Sequence, residues 1–162
     1  MTPASSGSGE VTRGGLRRVG VADPLDVFVA RWSAQRIAGE IGFVRVAANE
    51  LAIVVSELAT NILKYGVRGE IALGPVDGAP HGRGLEIIAE DEGPPIADLD
   101  LALRDGYGDR GPIAPEHWLG RGGIGAGLGA VIRLTDSFEY RPGAGRKSFR
   151  VVRYLHRPRK QA

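Results

Sequence analysis

The 162-residue chain has no cysteine and only three histidines, His81, His117 and His156. Without thiols it can hold no disulfide framework, no thiolate nucleophile and no cysteine-bound zinc or iron–sulfur centre. The histidines are scattered, and His117 has no partner at ligand spacing, so an imidazole-based metal cage is not expected. Aromatic residues make up 6% and are not interleaved with basic ones, which argues against a base-stacking nucleic-acid surface. No apolar run approaches the roughly 18 residues that a bilayer span requires, and the polar start Met1–Glu10 lacks a signal segment. The chain is therefore expected to be cytoplasmic, with no membrane and no nucleic-acid partner.

A large charge of one sign is also absent. Lysine and arginine number 21 against 19 aspartates and glutamates, a net +2. Much of the small excess sits at the ends, at Arg13, Arg17 and Arg18 and at Arg153, Arg157, Arg159 and Lys160. Solvated ends account for these better than a nucleic-acid groove does. Charged residues at 25% and hydrophobic ones at 43% match a folded globular chain. The expected organisation is a disordered Gly/Ser-rich leader over 1–15, one folded domain over 16–156 and a basic tail over 157–162.

What the chain does have is glycine: 25 residues, about twice the usual share, and clustered. Between the clusters the pattern is readable. Val19 and Val21 suggest a short edge strand. Asp23-Pro24 opens a helix, with Ala30, Ala34, Ile37, Ala38 and Ile41 at helical spacing and Gly42 as its stop. A second helix runs from about Val46 to Tyr65. On it Ala47, Leu51, Val54, Val55, Leu58 and Ile62 form an apolar stripe, and Glu50, Glu57, Asn61 and Lys64 form a polar strip beside it. Glu70–Val76 and Leu85–Glu90 read as a hairpin, and Asp98–Arg104 as a short helix. Residues 105–123 are structureless by pattern, a loop long enough to suggest function. A helix from Leu128 and two strands, Ser137–Arg141 and Lys147–Leu155, complete the chain. Two helices followed by hairpins predict an α+β fold, a two-layer α/β sandwich with a mostly antiparallel sheet.

Three clusters carry candidate chemistry. Glycines alternating through Gly123, Gly125 and Gly127 before a helix leave amides bare for an anion. Neither familiar nucleotide loop fits. Arg146-Lys147-Ser148 lacks the glycine of a P-loop, and Gly120-x-Gly122-x-x-Gly125 follows a loop where the dinucleotide fingerprint needs a strand. Glu57 and Asn61 lie one helical turn apart and can address one ligand. Asn61 offers a neutral oxygen suited to Mg²⁺, Glu57 can orient or deprotonate a hydroxyl, and Lys64 can neutralise phosphate. Asp91, at a strand end before Gly93, could accept a hydrogen bond from an exocyclic amino group such as that of adenine. Each element also has an ordinary explanation: a linker, a solvated helix face, turn chemistry.

Their order is more specific than any one of them. A Glu-x-x-x-Asn helix, a strand ending in Asp-x-Gly, a long loop and Gly-x-Gly-x-Gly-Leu opening a helix resemble the GHKL ATP-binding superfamily, the Bergerat fold. Asn61–Tyr65 is similar to its N box, Asp91–Pro95 to its first glycine box and Gly123–Leu128 to its second, with 105–122 as the ATP lid. Ser56–Ile62, Ala89–Pro94, Asp105–Tyr107 and Gly127–Phe138 further resemble the RsbT-type switch kinases of stressosomes, over about residues 19–155.

That resemblance implies a compact serine/threonine protein kinase using ATP and Mg²⁺. It implies phosphorylation of STAS-domain scaffold or antagonist proteins, and release to activate a downstream phosphatase or another output enzyme. By position, Glu57 would be the catalytic carboxylate, Asn61 the Mg²⁺ ligand and Lys64 a phosphate neighbour. Asp91 would read the adenine amino group and Gly93 admit the ring. Gly123, Gly125, Gly127 and Leu128 would wrap the triphosphate, and Ser148 would stand where the family often has a threonine. Two features depart from the pattern. Pro95 replaces the second glycine of the first box and has no amide donor, and 112–119 looks like an insertion in the lid. The departure at Pro95 supports an alternative, a catalytically impaired, anti-sigma-like or partner-binding adaptor.

Overall fold

The computed structural model describes residues 11–13, 15–78, 80–104, 107–108, 111–112 and 127–158. In chain order the elements are β1 (Val11–Arg13), β2 (Leu16–Val21), α1 (Pro24–Ile41), α2 (Arg45–Tyr65), β3 (Gly69–Gly78) and β4 (Gly82–Asp91). They continue as α3 (Leu99–Ala102), β5 (Tyr107–Gly108), β6 (Gly111–Pro112), α4 (Gly127–Leu134), β7 (Ser137–Gly143) and β8 (Arg146–Tyr154). Six strands form one sheet in the order β1-β2-β3-β4-β8-β7, and every neighbouring pair is antiparallel. The expected α+β, two-layer architecture is the one observed.

Strand alternation explains the layering. Val19, Val21, Ile71, Leu73, Leu85, Ile87, Ala89, Phe149 and Val151 share one core cluster with the buried residues of α1, α2 and α4. Glu70, Glu86 and Glu90 pair instead with Arg18, Arg150 and Arg146. Such partly exposed pairs add little stability; they mark the solvent-facing side of the sheet. Burial at the core is close to complete for Leu51, Val54, Val55 and Leu58 of α2, and each side chain contributes roughly 1.5–3 kcal/mol.

Helix α1 starts and stops where its sequence dictates. The Asp23 carboxylate accepts from Leu25 N–H at 2.8 Å and Asp26 N–H at 3.3 Å. Asp26 reciprocates, accepting from Ala22 N–H at 2.8 Å and Asp23 N–H at 3.1 Å. Gly42, at φ +114°, ends the helix in a conformation that side chains disfavour. Loss of the cap in Asp23→Ala is expected to cost about 1 kcal/mol and to lower Tm by about 2–4 °C; thermal denaturation followed by circular dichroism measures it. The outer face of α1 leaves Leu25, Phe28 and Trp32 exposed, with the Arg36 guanidinium 5.1 Å from the Trp32 ring centroid.

Helix α2 corrects one expectation. By length and composition it is apolar enough to cross a membrane, but most of its apolar window is buried inside the protein. Packing between α1, α4 and the sheet, rather than shortness, makes it a core helix.

Other boundaries also move. Val11–Arg13, assigned to the leader, pairs with Leu16–Arg18, so β2 is an interior strand and β1 the edge. Tyr107–Gly108 pairs with Gly111–Pro112 inside the stretch expected to lack structure, and α3 is a single turn. The basic ends are not simply solvated. Arg18 bonds Glu70, and Arg153 is buried against Glu50. Arg157 donates to Asp136 Oδ1 at 2.8 Å and to the Arg133 and Thr135 carbonyls at 3.2 Å. Asp136 Oδ2 in turn accepts the Tyr154 N–H at 2.8 Å, which fastens the end of β8 to the α4–β7 turn.

Candidate functional site

The polar strip of α2 divides on folding. Glu50 accepts from the Arg153 guanidinium, which also donates to the Leu134 carbonyl at 3.2 Å. Its role is structural: it ties α2 to β8 and to the end of α4. Glu57 is 5% exposed, although a carboxylate is among the groups least often buried. One turn on, Asn61 is half-buried, and one more turn brings Lys64 to the surface. The strip thus runs from the interior outward toward the C-terminal end of α2.

That end meets the end of β4. A Cβ on Gly93 would lie 2.4 Å from the Tyr65 carbonyl oxygen and 2.8 Å from Gly66 Cα. A Cβ on Gly69 would lie 2.5 Å from Ile62 Cγ2 and 3.0 Å from Asp91 Cβ. Contacts this close require glycine, and they hold Asp91 and Gly93 directly against residues 62–66 at the end of α2, which follow Asn61. Two stretches separated in sequence are therefore packed together.

Asp91 is 5% exposed. Its Oδ1 accepts the Gly93 N–H at 2.7 Å and the Lys147 ammonium at 2.7 Å. Lys147, on β8, is also 5% exposed and stands directly across from Asp91 in the ladder. The sequence reading passed over this lysine, because only the non-local pairing of β4 with β8 brings it to the carboxylate. The same pairing corrects Ser148. It is matched with Glu90, and strand alternation puts it on the opposite face of the sheet from Asp91. The position facing Asp91 is Lys147.

Past Gly93, Pro94 and Pro95 are exposed, and the Ile96 N–H donates to the Tyr140 hydroxyl at 2.9 Å. Tyr140 stacks on Phe149 with ring centroids 4.9 Å apart, so the chain leaving β4 is anchored to β7 and β8. Helix α4 begins at Gly127 with φ +55° and nothing within 4 Å of an added Cβ. Leu128 is 3% exposed and belongs to the core cluster, so only its backbone is available to a ligand. Gly123 and Gly125 lie outside the described residues, as does the lid segment 113–119.

These residues fit a nucleotide. A buried carboxylate offers acceptors for a base, and a glycine opens the α4 helix. Among the described residues no group of three or more His, Cys, Asp or Glu could hold a metal. A Mg²⁺ ion here would depend on the Asn61 carbonyl oxygen together with phosphate oxygens, which is how Mg²⁺ is usually held.

Residues 21–153 match the model of the histidine kinase-like ATPase domain. Serine/threonine-protein kinase RsbT of Bacillus subtilis (strain 168) is 38% identical over 121 residues, covering 74% of this chain and 81% of that protein. The crystal structure of the RsbU and RsbW domains of a Mycobacterium tuberculosis protein shares the fold, with a TM-score of 0.52 at 16% identity over 90% of this chain. This chain spans 34% of that one. The chain belongs to the histidine kinase-like ATPase domain family and, within it, stands with the RsbT-type serine/threonine kinases.

Proposed function

We propose that the chain is an ATP- and Mg²⁺-dependent kinase that phosphorylates a serine or threonine of a STAS-domain scaffold or antagonist in a stressosome-like, partner-switching pathway. The observation that carries this reading is the close packing of the end of α2, at Ile62, Tyr65 and Gly66, against Asp91 and Gly93; Asn61 and Glu57 lie just before that end on the same helix. Asp91 accepts from the adenine amino group, Gly93 lets the chain pack against the end of α2 and hold that carboxylate in place, and Lys64 and the amides opening α4 face the phosphates. Bound Mg²⁺ offsets charge on the phosphates. The acceptor hydroxyl oxygen forms a bond to the γ-phosphorus as the bond from that phosphorus to the β,γ-bridging oxygen breaks. The hydroxyl proton passes to the Glu57 carboxylate, and ADP is the leaving group.

Asn61→Ala is expected to weaken Mg·ATP binding on the order of tenfold to a hundredfold, the scale of a lost bond to a charged group. Calorimetric titration with and without Mg²⁺ tests it, and an unchanged Mg·ATP isotherm rejects Asn61 as the metal contact. A second reading, a partner-binding adaptor without transfer activity, is favoured by Pro95, which cannot donate an amide where the family pattern has glycine. Incubation with radiolabelled ATP and a STAS partner separates the two, since only the kinase labels the partner.

A further inference from the structure

We propose that Lys147 is a second base-reading residue, donating to the ring nitrogen N1 of adenine while Asp91 accepts from the exocyclic amino group. The inference rests on the ATP-site reading above and adds to it a contact that the Asp-x-Gly motif does not encode. Lys147 Nζ lies 2.7 Å from Asp91 Oδ1, and both side chains are 5% exposed. They are ladder partners on neighbouring strands, so the backbone, rather than a chance rotamer, sets their spacing.

A buried ion pair is a poor stabilising device, since two well-packed apolar side chains usually do as well or better. Its presence at the end of β4, on a carboxylate that the Gly93 N–H already holds, is better explained by a ligand. An ammonium carries three N–H donors, and only one is needed for Asp91. The pair therefore presents an acceptor and a donor side by side, fixed by the Gly93 N–H on the same carboxylate oxygen at 2.7 Å. Adenine offers the complement at adjacent edge positions: a donor at its amino group and an acceptor at N1. In that register a 6-oxopurine would set its oxygen against the carboxylate and its N1–H against the ammonium, so like would face like at both positions. Reading two adjacent edge atoms with a fixed donor–acceptor pair is the principle of bidentate base recognition.

The test compares ATP, 1-deaza-ATP (in which N1 is replaced by C–H) and the triphosphate of purine riboside (which lacks the amino group), titrated against the full chain. Wild-type protein is expected to bind 1-deaza-ATP about tenfold more weakly than ATP, within the discrimination of one good base contact. Lys147→Met should bring that ratio close to one while keeping the penalty for removing the amino group, and Lys147→Arg should restore part of it. Equal binding of ATP and 1-deaza-ATP by the wild type overturns the proposal, and this result needs no variant to fold. Tighter ATP binding by Lys147→Met also overturns it, because the lysine would then obstruct Asp91. Failure of the wild type to bind ATP at all would instead remove the site, and this inference with it.

Discussion

Glu57→Gln is expected to slow phosphorylation of a STAS partner by roughly a hundredfold to ten-thousandfold, the range of a single general base. Nucleotide affinity should change little. Glutamine keeps the volume and the hydrogen-bonding oxygen of the side chain but cannot accept the hydroxyl proton. The contrast between transfer and binding is the useful part of the result. Glu57 is buried on the core side of α2, so a larger change, to alanine for instance, would mix a packing defect with a chemical one. Single-turnover transfer of labelled phosphate, run beside a nucleotide titration, gives both quantities. Transfer at the wild-type rate would remove Glu57 from the mechanism.

Gly93→Ala should damage nucleotide binding and stability together. The added methyl would lie 2.4 Å from the Tyr65 carbonyl oxygen, 2.7 Å from Asp91 Oδ1 and 2.8 Å from Gly66 Cα. Two of these neighbours are backbone, and the third is a carboxylate already held by Gly93 N–H and Lys147. None can yield without moving the end of α2 or breaking the Asp91 pair. Overpacking of this kind costs about 1–3 kcal/mol, a fall of several degrees in Tm for a chain of this size. ATP affinity should drop at least tenfold, because the atoms displaced are those proposed to meet the base. A Gly93→Ala protein with wild-type Tm and ATP affinity would show that this contact holds neither the end of α2 nor Asp91 in place.

The helices were legible because their signals are local. Asp23 and Gly42 bound α1 through bonds reaching only a few residues, and the apolar stripe of α2 repeats with the helix period. The β3–β4 hairpin is likewise a short-range pairing, although its strands extend further than the pattern suggested, to Gly69–Gly78 and Gly82–Asp91. Errors gathered where partners are distant. Val11–Arg13 looked like leader because three residues carry no periodicity of their own; the exposed edge of β2 gives them their conformation. Glu50 looked equivalent to Glu57 on the helical wheel, and Arg153, more than a hundred residues away, separates them.

From the residues alone followed the α+β class and the extent of α1 and α2, and from the order of the motifs the resemblance to an ATP-binding family. Spacing along a helix or across a tight turn is written in neighbouring side chains. The folded chain decided that Lys147 faces Asp91 while Ser148 faces away, and that the end of α2 closes on Gly93. The second rests on α2 packing against the β3–β4 hairpin, and the first on β8 pairing with β4 across the intervening α3, β5, β6, α4 and β7. A shift of one residue in that register exchanges the two faces of a strand, and no short-range signal determines it.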